Sequence, residues 1–122
     1  MIKQLDISGV HMQVDDDLRK YATRKIGRLD RYIPKHSRES ARGDILLKES
    51  KAKDKKECTC EVTLHLPKEV VNVKESTINM YAAIDIIEAK LKNRLKKYKS
   101  MHGSPKFHRR MMTRIRHSAT EV

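Results

Sequence analysis

The chain has 122 residues, 38% of them hydrophobic and 36% charged, enough to bury one modest core and too few for two independent ones. Twenty-eight Lys and Arg against sixteen Asp and Glu leave a formal charge of +12, self-repulsive unless a polyanion is the usual companion. No stretch approaches the roughly 20 consecutive apolar residues that span a bilayer, and "MIKQLDISGV" lacks the cationic start and apolar run of a secretory leader, so a cytoplasmic protein is expected.

In chain order, Leu5 and Ile7 alternate with Asp6 and Ser8 before Gly9, the pattern of a short half-buried strand. Asp15, Asp16 and Asp17 then supply a helix cap and an acidic first turn. In "LRKYATRKIGRLDRYI" the residues Leu18, Ala22, Ile26, Leu29 and Ile33 step by 4, 4, 3 and 4, which predicts one apolar helical stripe ended by Pro34. Residues 37–49 are ambiguous as a whole, but "DILLKES" suits a strand running into a charged connection, "KAKDKKE", read as a mobile hairpin loop.

The cleanest strand follows, with Cys58, Cys60, Val62, Leu64 and Leu66 alternating with Thr59, Glu61, Thr63 and His65. Cys58 and Cys60 point to one face, so a mutual disulfide is geometrically awkward and two buried thiols are expected. Pro67, Lys68 and Glu69 turn the chain into "VVNVKES", close enough to argue antiparallel pairing. Ser76 or Thr77 is expected to cap a second helix, in which Met80, Ile84, Ile87, Leu91, Leu95 and Tyr98 repeat by 4, 3, 4, 4 and 3 as far as about Ser100. Gly103, Ser104 and Pro105 break that pattern. The domain is therefore placed at 1–102 and a basic C-terminal tail, disordered when free, at 103–122. The expected class is α+β, in the order β-α-β-β-β-α, with two helices packed on one face of a four-stranded sheet.

Projection at about 100° per residue places Lys20, Arg24, Arg28 and Arg31 opposite the first stripe, with Arg19 and Lys25 on its shoulders. On the second helix Lys90, Arg94 and Lys97 form one flank of the stripe and Lys92, Lys96 and Lys99 the other. A face that merely keeps a helix in water usually mixes signs. From Lys90 to Arg116 there are eleven Lys and Arg and no acid, although like charges four apart cost a helix a few tenths of a kcal/mol per pair. Phosphate, whose neutralisation releases condensed counterions, is the partner that would favour such a run. Tyr21, Tyr32, Tyr81, Tyr98 and Phe107 do not form the strand-borne stacking pairs of an RNA-recognition sheet, so contact through backbone and shape is expected rather than base reading.

Catalysis finds no support: there is no Gly-rich phosphate loop, no metal-spaced His pair and no nucleophile motif. Neither an enzyme nor a cofactor is expected. His65 with Cys58 and Cys60 could be imagined as a metal cluster, but His65 belongs to the opposite face of the strand.

The stretch "MYAAIDIIEAKLKNRLKKYK", Met80 to Lys99, closely resembles the second helix of the ribosome hibernation promoting factors and ribosome-associated inhibitors, once described as sigma-54 modulation proteins. "LDISG" resembles the family's first strand and "LRKYATRKIGRLDRYI" its first helix, so the likeness runs over about residues 1 to 102. The resemblance implies a fold laid out like a double-stranded RNA-binding domain. It also implies docking in the channel of the small ribosomal subunit where messenger and transfer RNA would sit. Occupancy would block translation under starvation, stationary phase or cold, with no reaction catalysed. The implied partners are 16S-type rRNA and the whole ribosome, with no membrane, no small-molecule substrate and a monomer when free.

Carried onto this sequence, the implied rRNA contacts are Lys25, Arg28 and Arg31 on the first helix and Lys90, Arg94 and Lys97 on the second. The projection adds Lys20, Arg24, Lys92, Lys96 and Lys99, each as a phosphate contact that positions without reading sequence. Asn79 stands where the family usually has an acid, a lost favourable charge at the helix start. The chain stops short of the long form's ribosome-pairing second domain, so a short form is expected, and its tail is basic where inhibitor-type members have an acidic one. Two other classes remain in play: a general RNA- or DNA-binding architectural protein, and a regulator of a sigma factor through protein contacts.

Overall fold

Alternation on the strands builds the sheet and sets the helix-bearing face. In the computed structural model, which describes residues 1–52 and 55–102, Cys58, Cys60, Val62, Leu64 and Leu66 are buried beneath the helices. Glu61, Thr63 and His65 look the other way and are half-exposed. The elements run β1 (Gln4–Val10), α1 (Asp16–Gly27), a 3-10 turn (Arg28–Tyr32), α2 (Lys35–Arg38), β2 (Arg42–Ala52), β3 (Lys55–Leu66), β4 (Glu69–Thr77) and α3 (Met80–His102). The sheet order is β1-β2-β3-β4. β1 lies parallel to β2, and the other two pairings are antiparallel. The order expected from the sequence thus holds, with the single turn α2 added.

Asp15 caps α1, its carboxylate accepting from the Leu18 N–H at 2.7 Å. The stripe Leu18, Ala22, Ile26, Leu29 and Ile33 is buried throughout, but the α-helix does not reach Pro34. The Ile2 N–H takes the Gly27 carbonyl at 3.0 Å, the acceptor that a continuing helix would have used. The backbone tightens there, at a residue with weak helical preference. Arg28 then turns toward α3 rather than standing opposite the stripe, as its ion pair there shows. Pro34, itself buried, starts α2, whose Ser37 N–H donates to the Pro34 carbonyl at 2.8 Å.

The segment read as a mobile loop is mostly strand. Lys51 pairs with Lys56 and Ala52 with Lys55, so only residues 53–54 of "KAKDKKE" lie outside the described chain. A ladder of backbone hydrogen bonds needs no apolar side, which is why the charged sequence hid it. β1 ends its pairing at Val10↔Lys48 and β4 at Cys58↔Thr77, leaving the tip of the β2–β3 hairpin as a two-stranded ribbon beyond the sheet. At the opposite end Pro67 and Lys68 form a two-residue turn between the paired Leu66 and Glu69, with Lys68 at φ 73°.

The cap of α3 is neither Ser76 nor Thr77, both of which lie in β4. The Asn79 side chain accepts from the Tyr81 N–H at 2.8 Å, so the residue that forfeits an acid at this helix start supplies the capping oxygen instead. Met80, Ala83, Ile84, Ile87, Leu91, Leu95 and Tyr98 form the buried face of α3. Tyr98 is the one fully buried aromatic among the described residues, and its hydroxyl donates to the Pro67 carbonyl at 2.6 Å. The expected tail, 103–122, lies outside the described residues.

Candidate nucleic-acid interface

The side-by-side helices α1 and α3 present a seam whose chemistry changes along its length. At the start of α3 the seam is matched. The Tyr21 hydroxyl donates to Asp85 at 2.5 Å, while its ring meets that of Tyr81 edge-on at 4.9 Å. Lys25 lies 3.5 Å from Asp85 and 3.9 Å from Glu88, and the Arg28 guanidinium reaches Glu88 at 2.9 Å and 3.0 Å. The hydrogen bond to Asp85, with desolvation behind it, holds the Tyr21 phenol above its usual pKa.

Past Glu88, α3 carries no further acid. The Tyr32 ring, at the end of the 3-10 turn, has Arg31 at 5.0 Å, Lys92 at 5.6 Å and Lys96 at 5.8 Å from its centroid. Desolvation, the largest single influence, pushes the phenol up, but hydrogen bonding and charge from Lys92 and Arg31 together outweigh it and the pKa falls below the ordinary value. Among the described residues no carboxylate lies within ion-pair distance of these three cations.

The other flank of α3 faces β4 across an open groove of about 540 Å³, lined by Asn72 and Lys74 from the strand and by Lys90, Asn93, Arg94 and Lys97 from the helix. Lys90 is tied to Glu75, and that hydrogen bond and charge hold the Glu75 carboxyl below its usual range. Arg94 and Lys97 are exposed. The two flanks read from the projection are therefore two different environments, one against β4 and one against the 3-10 turn. On α1, Lys20 and Arg24 are exposed, and the Arg24 guanidinium lies 5.8 Å from the Tyr21 ring centroid. Lys99 is half-buried near the end of α3.

Sequence reasoning missed three things here. Lys74 joins the groove, and its position opposite Val73 in the strand alternation was the available signal. Tyr32 gathers cations that come from two elements. The acids Glu75, Asp85 and Glu88 neutralise Lys90, Lys25 and Arg28, a match that depends on how closely the elements approach. Burial pushes the Cys60 thiol up to about 12, which leaves it an inert core residue. His65 meets Asp44 at 3.1 Å on the outer sheet face, away from both cysteines.

A model of the family described as sigma 54 modulation protein / S30EA ribosomal protein matches residues 5–102. The chain belongs to this family. A ribosome hibernation promoting factor of Pseudomonas putida is 33% identical over 101 residues, covering 83% of this chain and 91% of that protein. The ribosome hibernation promotion factor of Lactococcus lactis subsp. cremoris is 32% identical over 107 residues, 87% of this chain. The chain spans only 55% of the length of that Lactococcus relative. Among solved structures, the N-terminal domain of Thermus thermophilus Protein Y superposes with a TM-score of 0.63 at 29% identity, covering 80% of this chain and 97% of that one. A ribosomal subunit interface protein from Coxiella burnetii, at 21% identity and a TM-score of 0.64, shares the fold over 80% of this chain. The S30EA family fold is thus the mixed four-stranded sheet under two helices described above.

Proposed function

We propose that this chain is a ribosome-binding translation inhibitor of the hibernation type. In this reading it occupies the mRNA and tRNA channel of the small subunit under stress, held by its cationic helices on 16S-type rRNA phosphates. It works in the cytoplasm, as a monomer when free, by obstruction and without catalysis or cofactor. The observation that carries the reading is the placement of charge. Arg31, Arg94, Lys92, Lys96 and Lys97 stand along α3 and the 3-10 turn with no carboxylate partner among the described residues. Phosphates would supply the missing counter-charge without base reading. The names of the Pseudomonas and Lactococcus relatives support the ribosome as the source of those phosphates. No described helix is long and apolar enough to cross a membrane.

Sucrose-gradient sedimentation of vacant ribosomes mixed with the purified protein tests this. Salt-sensitive co-migration with small subunits and whole ribosomes is expected. Retention at the top of the gradient at low and moderate salt would reject the ribosome, and equal affinity for free duplex RNA would favour an architectural role. Reversing Lys90, Arg94 and Lys97 to Glu should abolish co-migration while leaving the fold intact, since all three side chains are exposed. Folded triple variant that still co-sediments would remove this flank from the interface.

A further inference from the structure

The cations of the helix pair fall into two groups. Lys25, Arg28 and Lys90 each have a carboxylate of the chain itself within reach. Arg31, Lys92 and Lys96 instead crowd round one phenol, at 5.0 to 5.8 Å from its ring centroid, with no carboxylate beside them among the described residues. Three like charges so placed repel one another, and the ring quadrupole offsets that only weakly at a solvated site. Tyr32 is half-buried, and it holds the cluster at the junction of the 3-10 turn with α3. The ring is in contact with cations, so it is a poor platform for a stacked base. The gap in the cluster is one of charge.

We propose that Arg31, Lys92, Lys96 and the Tyr32 hydroxyl form a seat for a single phosphate group. The guanidinium fork and two ammonium groups would satisfy the anionic oxygens, and the phenol would donate one further hydrogen bond. This seat deepens the ribosomal reading above and, for its occupant, rests on it, the phosphate being that of an RNA backbone. The lowered phenol pKa is consistent with a hydroxyl already set against positive charge. The remaining exposed cations then make looser, independent phosphate contacts, and Lys25 and Arg28 serve as struts between the helices.

A seat for one phosphate differs measurably from three separate contacts. The slope of log affinity against log salt counts phosphates neutralised, at roughly 0.7 to 0.9 per phosphate. The triple variant Arg31→Ala/Lys92→Ala/Lys96→Ala should therefore lower the slope of ribosome binding by about one unit in all, whereas three independent contacts would lower it by roughly two to three. Tyr32→Phe keeps the ring and the fold, and it should weaken binding about tenfold or more, the loss of one hydrogen bond to a charged group, with the slope unchanged.

A second arm uses inorganic phosphate alone. Added to the full chain at constant ionic strength against chloride, it should shift the ring-carbon NMR signal of Tyr32 saturably and leave Tyr81 unmoved. If wild-type protein binds ribosomes but slopes add and Tyr32→Phe binds unchanged, the seat is wrong and the ribosomal reading stands. If ribosomes are not bound while phosphate still saturates Tyr32, the reverse holds, and the seat serves a free phosphate ester. Equal, unsaturable shifts at all tyrosines would overturn the seat outright.

Discussion

Lys68 occupies the second position of the two-residue turn between β3 and β4 with φ 73°, where a side chain crowds its own backbone. Glycine at that position removes strain of about 1 kcal/mol but gives the unfolded chain more freedom, so the effects partly cancel. Lys68→Gly should stabilise by about 0.5 kcal/mol and raise the melting temperature by a few degrees. An unchanged or lower melt would place no strain there. Leu91 is the opposite case, fully buried in the middle of α3. Leu91→Ala should lose about 2 to 5 kcal/mol in denaturant unfolding, with ribosome affinity unchanged per folded molecule. A loss under 1 kcal/mol would mean that the site collapses around the cavity.

At the level of elements, what the sequence revealed and what it hid divide along a physical line. The stripes Leu18–Ile33 and Met80–Tyr98 and the alternation Cys58–Leu66 were legible because burial follows period, and all of these residues are in the core. The end of α1 was not legible, because the group that takes the Gly27 carbonyl is the Ile2 N–H, distant in sequence. Nor was the strand content of "KAKDKKE", which rests on backbone pairing alone. The flanks of α3 could be read from a projection, whereas their pairing could not, since Glu88 meets Arg28 only once the helices pack. That pairing has its own test. Glu88→Gln removes the counter-charge from Arg28, near the solvated surface, while Lys25 keeps Asp85 at 3.5 Å. The helix pair should lose up to about 1 kcal/mol in stability, while RNA binding tightens severalfold with a steeper salt slope. Weaker RNA binding from a folded variant would mean that the strut orients cations that do touch phosphate.

For the whole molecule, the sequential strand order divides its contacts unevenly along the chain. β2, β3 and β4 follow one another as hairpins, and α3 leaves β4 to pack directly on them. β1 joins only by parallel pairing with β2 after a crossover that includes α1, the 3-10 turn and α2. In time rather than energy, this divides the chain into an early part and a late part, because distant pairing must close a long loop before contacts reward it. Val62→Ala, in the central β3, should therefore slow folding, whereas Ile7→Val, in β1, should leave the folding rate nearly unchanged and speed unfolding. Stopped-flow chevrons of the two variants would separate these limbs. β1, which completes the sheet edge beneath α1, would then be the last strand to join and the first to leave.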